Sequence, residues 1–212
     1  MATVLLVRHG ETNWNREGRI QGWAPSRLTA RGHEQADALA SHVAATYDVD
    51  RVVASDLRRV QETADHLART LGRDVALDPA WRERDFGFLQ GLTDAELHEQ
   101  LPEYSLEAVG YSAAEARPKG GESFLDLRER VLTAWADLLD GLEEGETVLV
   151  VSHGGPIRFV LADLKGLDAV AAVLDQEQAN CALNEIRVAS PPELVVENET
   201  GFLDGLDYSR IG

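Results

Sequence analysis

Apolar and polar positions fall into blocks along this chain that predict strands and helices in turn. Val4 to Val7 are consecutive apolar residues, and with Thr3 they predict a short buried strand. After Thr29, a residue suited to capping a helix, Ala36, Leu39, Ala40, Val43 and Tyr47 recur at helical spacing. Arg51 to Ser55 predicts a second strand. Leu57, Val60, Ala64, Leu67 and Leu71 then step by three and four positions, with Gly72 placed to end that helix. Asp74 to Asp78 predicts a third strand, broken by Pro79. Trp81 to Leu92 reads as a loop, and Thr93 with Glu96 forms a capping box for a short helix. Leu101 to Gly121 carries two prolines, several glycines and no period, which predicts a loop or lid.

The pattern is firmer in the second half. Ser123 is placed to cap a helix whose inward positions are Phe124, Leu127, Val131, Trp135, Leu138 and Leu142. Thr147 to Ser152 is the strongest buried strand, followed by Gly154, Gly155 and Pro156 opening a helix. Ala182 to Ala189 and Glu193 to Thr200 predict two closing strands. This order predicts an α/β fold, a three-layer α/β/α sandwich around a mainly parallel central sheet with right-handed crossovers. One domain over residues 1–212 is expected, with a lid-like insertion at about 93–123. Ligands of such sheets bind at the carboxyl ends of the strands.

Composition narrows the function classes. Asp and Glu number 37 against 20 Lys and Arg, a formal net charge of −17. Such a surface repels nucleic-acid phosphates and anionic membranes, so neither is an expected partner. No apolar run approaches the roughly 18 residues of a membrane span, and Met1 to Gly10 lacks the basic flank of a signal peptide. Cys181, the single cysteine, excludes an internal disulfide and fits a reducing cytoplasm. Lysine occurs only at positions 119 and 165. Excess acid with so little lysine predicts a protein adapted to a salty cytoplasm, where salt screens the self-repulsion. A homo-oligomer stays open.

The residues that follow each early strand are chemically distinctive. Arg8, His9 and Gly10 follow the first, and Ser55, Asp56, Leu57, Arg58 and Arg59 the second. The third leads to Trp81, Arg82, Glu83, Arg84 and Asp85, and the fourth ends at Ser152, His153, Gly154 and Gly155. Each has a plain structural alternative. His9 or His153 suits a strand-end histidine bonded to backbone, and Arg58 or Arg59 a solvated helical turn. Glu83 suits a surface ion pair with Arg82 or Arg84. Helical phase does not choose between Arg58 and Arg59. His33, His42, His66 and His98 lie on helical stretches and read as exposed or structural. Together, two histidines, arginines and a carboxylate at one rim suit phosphoryl transfer, with imidazole as nucleophile and guanidinium gripping phosphate oxygens. Gly10 beside His9 reads as an opening for the ligand. A metal site on His9 and His153 is the weaker alternative, because the neighbouring arginines repel a cation and no H-E-x-x-H spacing occurs.

The stretch VRHGETNWN, followed by RIQGWAPSRLTARGHEQA, resembles the signature of the histidine phosphatase superfamily, which includes cofactor-dependent phosphoglycerate mutases and small broad-specificity phosphatases. SDLRRVQETA, WRERDFGFLQG and VLVVSHGGPIR resemble its other motifs in the same order, from Thr3 to about Val160. The resemblance implies that His9 accepts the phosphoryl group and that Arg8, Arg59 and His153 bind and neutralise it. Arg59 rather than Arg58 fits, standing four positions after Ser55. Asn15 and Gln21 match polar phosphate contacts, Gly22 and Gly154 add backbone, and Glu83 aligns with the proton donor, kept protonated by burial against Trp81 or Phe86. The family implies no metal and no cofactor for hydrolysis. GFLQGL resembles the mutases. The short segment from Thr93 to Ser123, the PKGGES stretch and His153-Gly154-Gly155, where the mutases typically have His-Gly-Asn, resemble the phosphatases. The expected function is therefore a metal-independent phosphomonoester hydrolase acting on small phosphorylated metabolites. A phosphoglycerate mutase is the alternative and an inactive phosphate-binding module the remote one. Trp23, Arg27, Arg84 and the 101–121 loop are expected to set the substrate.

Overall fold

The computed structural model describes residues 1–206. In chain order these form β1 (Ala2–Arg8), α1 (Asn13–Arg16), α2 (Ala30–Thr46), β2 (Arg51–Ala54), α3 (Arg58–Leu71), β3 (Val75–Leu77), α4 (Asp94–Gln100), α5 (Leu106–Val109), α6 (Tyr111–Glu115), α7 (Phe124–Asp140), β4 (Thr147–Ser152), α8 (Gly154–Lys165), α9 (Ala169–Leu174), β5 (Leu183–Val188) and β6 (Glu193–Glu199). The sheet order is β3-β2-β4-β1-β5-β6. β3, β2, β4 and β1 pair in parallel, while β5 lies antiparallel to both β1 and β6. The sheet is thus mixed but mainly parallel.

Period-two alternation divides the core. Val4, Leu6, Val148, Val150 and Val53 turn to one face, where α7, α8 and α9 pack. Leu5, Val7, Leu149, Val151, Val52 and Ala54 turn to the other, under α2 and α3. Every residue from Val4 to Val7 and from Val148 to Val151 is solvent-excluded. A strand covered on both faces needs an unbroken apolar run, which is why those two segments stood out.

The helix ends follow their caps. Thr29 accepts from the Gly32 N–H, and Thr93 and Ser123 form capping boxes with Glu96 and Asp126. Gly72 and Gly166 close α3 and α8 in the left-handed region. Two helices are shorter than their apolar pattern: α2 ends before Tyr47 and α7 before Leu142, although both side chains still pack on the core. β3 is confined to Val75–Leu77, with Leu77 exposed at the sheet edge.

The segment from Leu101 to Gly121 departs from the expectation of an irregular loop. It holds a 3₁₀ turn at Pro102–Tyr104, then α5 and α6, and its Leu106, Ala113 and Ala114 are buried in the core with α7 and α9. Helices of a single turn are too short to show a period. Trp81 to Leu92 likewise contains 3₁₀ turns at its start and at Gly87–Leu89. Among the described residues no helix is long and apolar enough to cross a membrane.

Candidate active site

Because β1 and β2 flank β4, the ends of the three strands meet. Arg8 lies level with Ser152, the His9 N–H donates to the Ser152 carbonyl (3.0 Å), and the Ser55 N–H to that of Val151 (3.0 Å). β1 therefore delivers His9, and β4 delivers His153, to one place. Their rings lie 5.3 Å apart, edge to face.

Arg59, on the first turn of α3, fills the space between them. Its Nε donates to His9 Nε2 (3.1 Å), and its Nη2 donates to His153 Nδ1 (3.0 Å) and to the Gly22 carbonyl (2.8 Å). Arg59 is 1% exposed, whereas Arg58 points outward and pairs with Glu62 one turn on. The ambiguity that helical phase left is resolved by burial: the inner position takes Arg59.

The partners also assign the tautomers. His9 Nδ1 faces the Gly10 carbonyl at 2.7 Å, which only accepts, so Nδ1 carries the hydrogen. Nε2 then keeps its lone pair toward Arg59. His153 is the reverse: Nδ1 accepts from Arg59, and Nε2–H donates to Ser55 Oγ (2.9 Å). Burial, reinforced by Arg59 and Arg8, holds His9 well below the usual histidine range. Burial, followed by Arg59, His9 and Arg8, does the same to His153. Burial also pushes Arg8 and Arg59 down to about 10, so both remain cationic at neutral pH.

Arg8 donates through Nη1 to the Gln178 carbonyl, while its Nε is buried without a hydrogen-bond partner. An unpaired donor of this kind is costly unless an anion meets it. Gly154 opens α8 directly beneath: a Cβ placed there would lie 3.7 Å from Arg8 Nε and 3.9 Å from an Arg158 nitrogen.

Glu83 reaches the site from the loop after β3. Its Oε2 accepts from the Gly155 N–H (3.1 Å) and its Oε1 from the Arg84 N–H (2.8 Å). One backbone donor at the start of α8 and one in its own loop, rather than the expected apolar wall of Trp81 or Phe86, hold this carboxylate. The ion-pair alternative is not what forms, because Arg82 grips Asp56 with two hydrogen bonds of 2.5 Å each. A Cβ at position 155 would sit 2.2 Å from Glu83 Oε1, so the carboxylate in this position fills space beside Gly155 and would have to shift for a larger residue.

Other expected residues behave differently. Asn15 Oδ1 accepts from Thr12 and from Asn180, which also donates to the His9 carbonyl. Gln21 Oε1 accepts from the hydroxyls of Thr12 and Ser26. Both amides border the site with their carbonyl ends engaged. Gly22 adopts a φ of +52° and presents its carbonyl to Arg59. Arg84 is not a ligand contact. It is 1% exposed, lies over the Phe124 and Phe86 rings and donates to the Glu122 and Ala116 carbonyls. Arg27 is on the surface. Gly10 is not an opening either, since a Cβ there would lie 2.5 Å from the Gly32 carbonyl of α2. Among the described residues, no cluster of three or more His, Cys, Asp or Glu is placed to hold a metal ion. His33, His66 and Asp37 form a surface chain, and His42 stacks on Phe202.

A lone pair on a neutral imidazole, two cationic arginines, an unpaired donor and a carboxylate around one hollow suit a phosphoryl group. The sequence model of the histidine phosphatase superfamily (branch 1) matches residues 4–197. The chain belongs to that superfamily. Among relatives, "Probable phosphoglycerate mutase GpmB" of Enterobacter sp. (strain 638) is 39% identical over 199 residues, covering 92% of this chain and 88% of that one. Phosphoserine phosphatase of Entamoeba histolytica, solved with 3-phosphoglyceric acid, superposes with a TM-score of 0.85 at 27% identity, covering 96% of this chain and 100% of that one. The α-ribazole phosphatase of Shigella flexneri gives 0.81 at 29% identity, covering 93% and 96%. Phosphatases and a mutase thus stand among the similar proteins.

This member of the superfamily also carries, around the site, residues the motifs did not single out. Arg158, one turn after Gly154 on α8, brings a further guanidinium beside the hollow, and i,i+4 spacing from Gly154 was its available signal. Arg130 of α7 holds the carbonyls of Ala80, Arg82 and Glu83, at 2.8, 3.0 and 3.3 Å. Nothing local in the sequence announces that reach. The buried histidines also fix an acid sensitivity. Both are neutral in the fold, whereas in the unfolded chain they titrate near pH 6.5. Their contribution is therefore complete above that pH and is lost as pH falls below it. Urea unfolding of the wild type should lose up to about 1.4 kcal/mol per histidine per pH unit on descending from 6.5. His153→Gln should flatten that slope; identical slopes would contradict the burial of a neutral imidazole.

Proposed function

We propose that this chain hydrolyses phosphomonoesters of small metabolites through a phosphohistidine at His9. The observation that carries the reading is the fixed tautomer of His9, with Nδ1–H tied to Gly10 and the Nε2 lone pair aimed into the hollow beside Arg59. An arriving phosphate dianion takes over the Arg59 Nε–H and meets the unpaired Nε of Arg8. His9 Nε2 is thereby freed to attack phosphorus. The ester P–O bond breaks, and protonated Glu83 delivers its proton to the departing alkoxide. Water then attacks the phosphorus, the P–N bond breaks, and ionised Glu83 takes the water proton. Phosphate and the starting enzyme result.

Arg8, Arg59, His153 and the backbone N–H of Gly154 hold the equatorial oxygens. The Asn15 carbonyl is engaged by Thr12 and Asn180 and the Gln21 carbonyl by two hydroxyls, so their NH₂ ends are the donors offered to phosphate, with Gly22 adding backbone. The arginines supply the charge stabilisation, and no metal takes part. The chain acts as one domain, and the stretch at about 93–123, with its short helices, serves as a lid. The buried thiol of Cys181 and the acid excess support a reducing, salt-rich cytoplasm as the setting; an unfolding midpoint unmoved between low and molar KCl would count against the salt.

Mutase chemistry differs only in what accepts the phosphoryl group, and the relatives named as mutases favour it as the second reading. Position 155 is glycine where the mutase pattern has asparagine, and this difference supports hydrolysis. The wild type should hydrolyse p-nitrophenyl phosphate equally with and without EDTA and form an acid-labile phosphoenzyme. His9→Ala should lose activity by about 10³-fold or more and form none. Activity retained in that variant would refute the nucleophile. Interconversion of 2- and 3-phosphoglycerate that depends on 2,3-bisphosphoglycerate would reverse the choice of acceptor.

A further inference from the structure

A cavity of about 320 Å³ adjoins the histidine–arginine hollow and shares Glu83 and Gly155 with it. Its walls come from residues far apart in the chain, among them Phe86, Leu106, Phe124 and Val173, with Leu174 at its exposed side. Two carboxylates, Asp94 and Glu107, stand at the mouth. A larger depression of about 890 Å³ runs along α7, but its lining holds no imidazole or thiol.

If Glu83 protonates the departing oxygen, the alcohol part of the ester lies next to Glu83, and the cavity there is lined by Glu83, Gly155 and Arg158 but not by Arg8, His9, Arg59 or His153. We propose that the cavity receives the alcohol and selects one with an apolar, ring-sized body and no carboxylate. This rests on the hydrolase reading above. Each methylene transferred into an apolar wall favours binding by about fourfold. A substrate carboxylate would instead meet Asp94 and Glu107. Arg158, which donates to the Gln176 carbonyl, is the one cation among the described residues lining the cavity, against the carboxylates of Asp94, Glu107 and Glu83.

Three esters with primary alkoxide leaving groups separate the class from the chemistry: 3-phenylpropyl phosphate, glycerol 3-phosphate and 3-phosphoglycerate. The wild type should show kcat/KM at least about tenfold higher for the first than for the third. Leu174→Glu, at a position already open to solvent, should bring that ratio down to about threefold or less. Asp94→Asn with Glu107→Gln should raise kcat/KM for 3-phosphoglycerate. A wild type that prefers 3-phosphoglycerate, or a ratio unmoved by Leu174→Glu, would overturn the assignment while leaving the hydrolase in place. Turnover of p-nitrophenyl phosphate but of none of the three overturns the assignment and leaves the hydrolase reading; turnover of none of the four removes both.

Arg130 supports a separate inference. Its guanidinium donates to three loop carbonyls and to both oxygens of Glu122, and Glu122 in turn accepts the Asp85 N–H (3.1 Å). The Glu83 carbonyl is thus shared by Arg130 and by Trp23 Nε1 (2.8 Å). The geometry points to Arg130 as a positioning residue that holds Glu83 for proton delivery. Proton delivery matters for an alkoxide and hardly at all for p-nitrophenolate, and kcat/KM reports only the step that forms the phosphohistidine. Arg130→Met should lower kcat/KM for 3-phenylpropyl phosphate by about 10- to 100-fold and for p-nitrophenyl phosphate by less than about threefold. Glu122→Gln should follow the same pattern more weakly, and Glu83→Gln more strongly. Equal losses on both esters in Arg130→Met, with the split present in Glu83→Gln, would overturn the positioning role alone. Equal losses in Glu83→Gln would remove the proton donor itself.

Discussion

A buried guanidinium wedged between two neutral imidazoles is the constraint on which the site depends. Arg59 is charged, almost wholly excluded from water, and within hydrogen-bond distance of both His9 and His153. Burial disfavours a charged imidazole, and protonating either ring would also set like charges against each other beside Arg59, so burial and the guanidinium together keep both rings neutral. The arginine thereby selects the tautomers, and the tautomers decide which nitrogen is available. A phosphate dianion would ease the same constraint, because it adds negative charge beside Arg59 and Arg8, whose anionic neighbour is Glu83.

The sheet makes that wedge sustainable. β4, sandwiched between β1 and β2 and solvent-excluded over Val148 to Val151, gives the strand ends a common origin. Thr63 ties α3 to this frame by accepting the Gly10 N–H and donating to the Arg59 carbonyl. Glu83 needs a different kind of support, since it comes from a loop at the short edge strand β3. Backbone donors fix its carboxylate, Trp23 and Arg130 fix its carbonyl, and the missing side chain of Gly155 gives it room. The strand-borne imidazoles and the strapped carboxylate thus approach from opposite supports.

The parts legible in the sequence were those with local signals. Thr147 to Ser152 and Thr3 to Val7 were readable because strands buried on both faces need unbroken apolar runs. Thr29, Thr93 and Ser123 announced their helices through capping chemistry. The residues at the strand ends could be gathered from topology alone. What stayed hidden depends on distance in sequence or on shortness. Arg58 and Arg59 are equivalent by phase, and only the β4–α3 packing separates them. Helices α5 and α6 are single turns, and their burial of Leu106, Ala113 and Ala114 follows from tertiary contacts. Arg84 was expected to help set the substrate and proves to be a buried, aromatic-stacked brace. Gly10 looked like a gap for ligand and proves to be a close approach to α2.

The direct test of the neutral pair is a ¹⁵N NMR titration of the histidine side chains in the folded protein. His9 should keep a protonated Nδ1 and an unprotonated Nε2 from pH 8 to about pH 5, His153 should show the opposite tautomer, and neither should pass a midpoint near 6.5. Two imidazoles that titrate in the ordinary range, or that share one tautomer, would contradict the arrangement around Arg59.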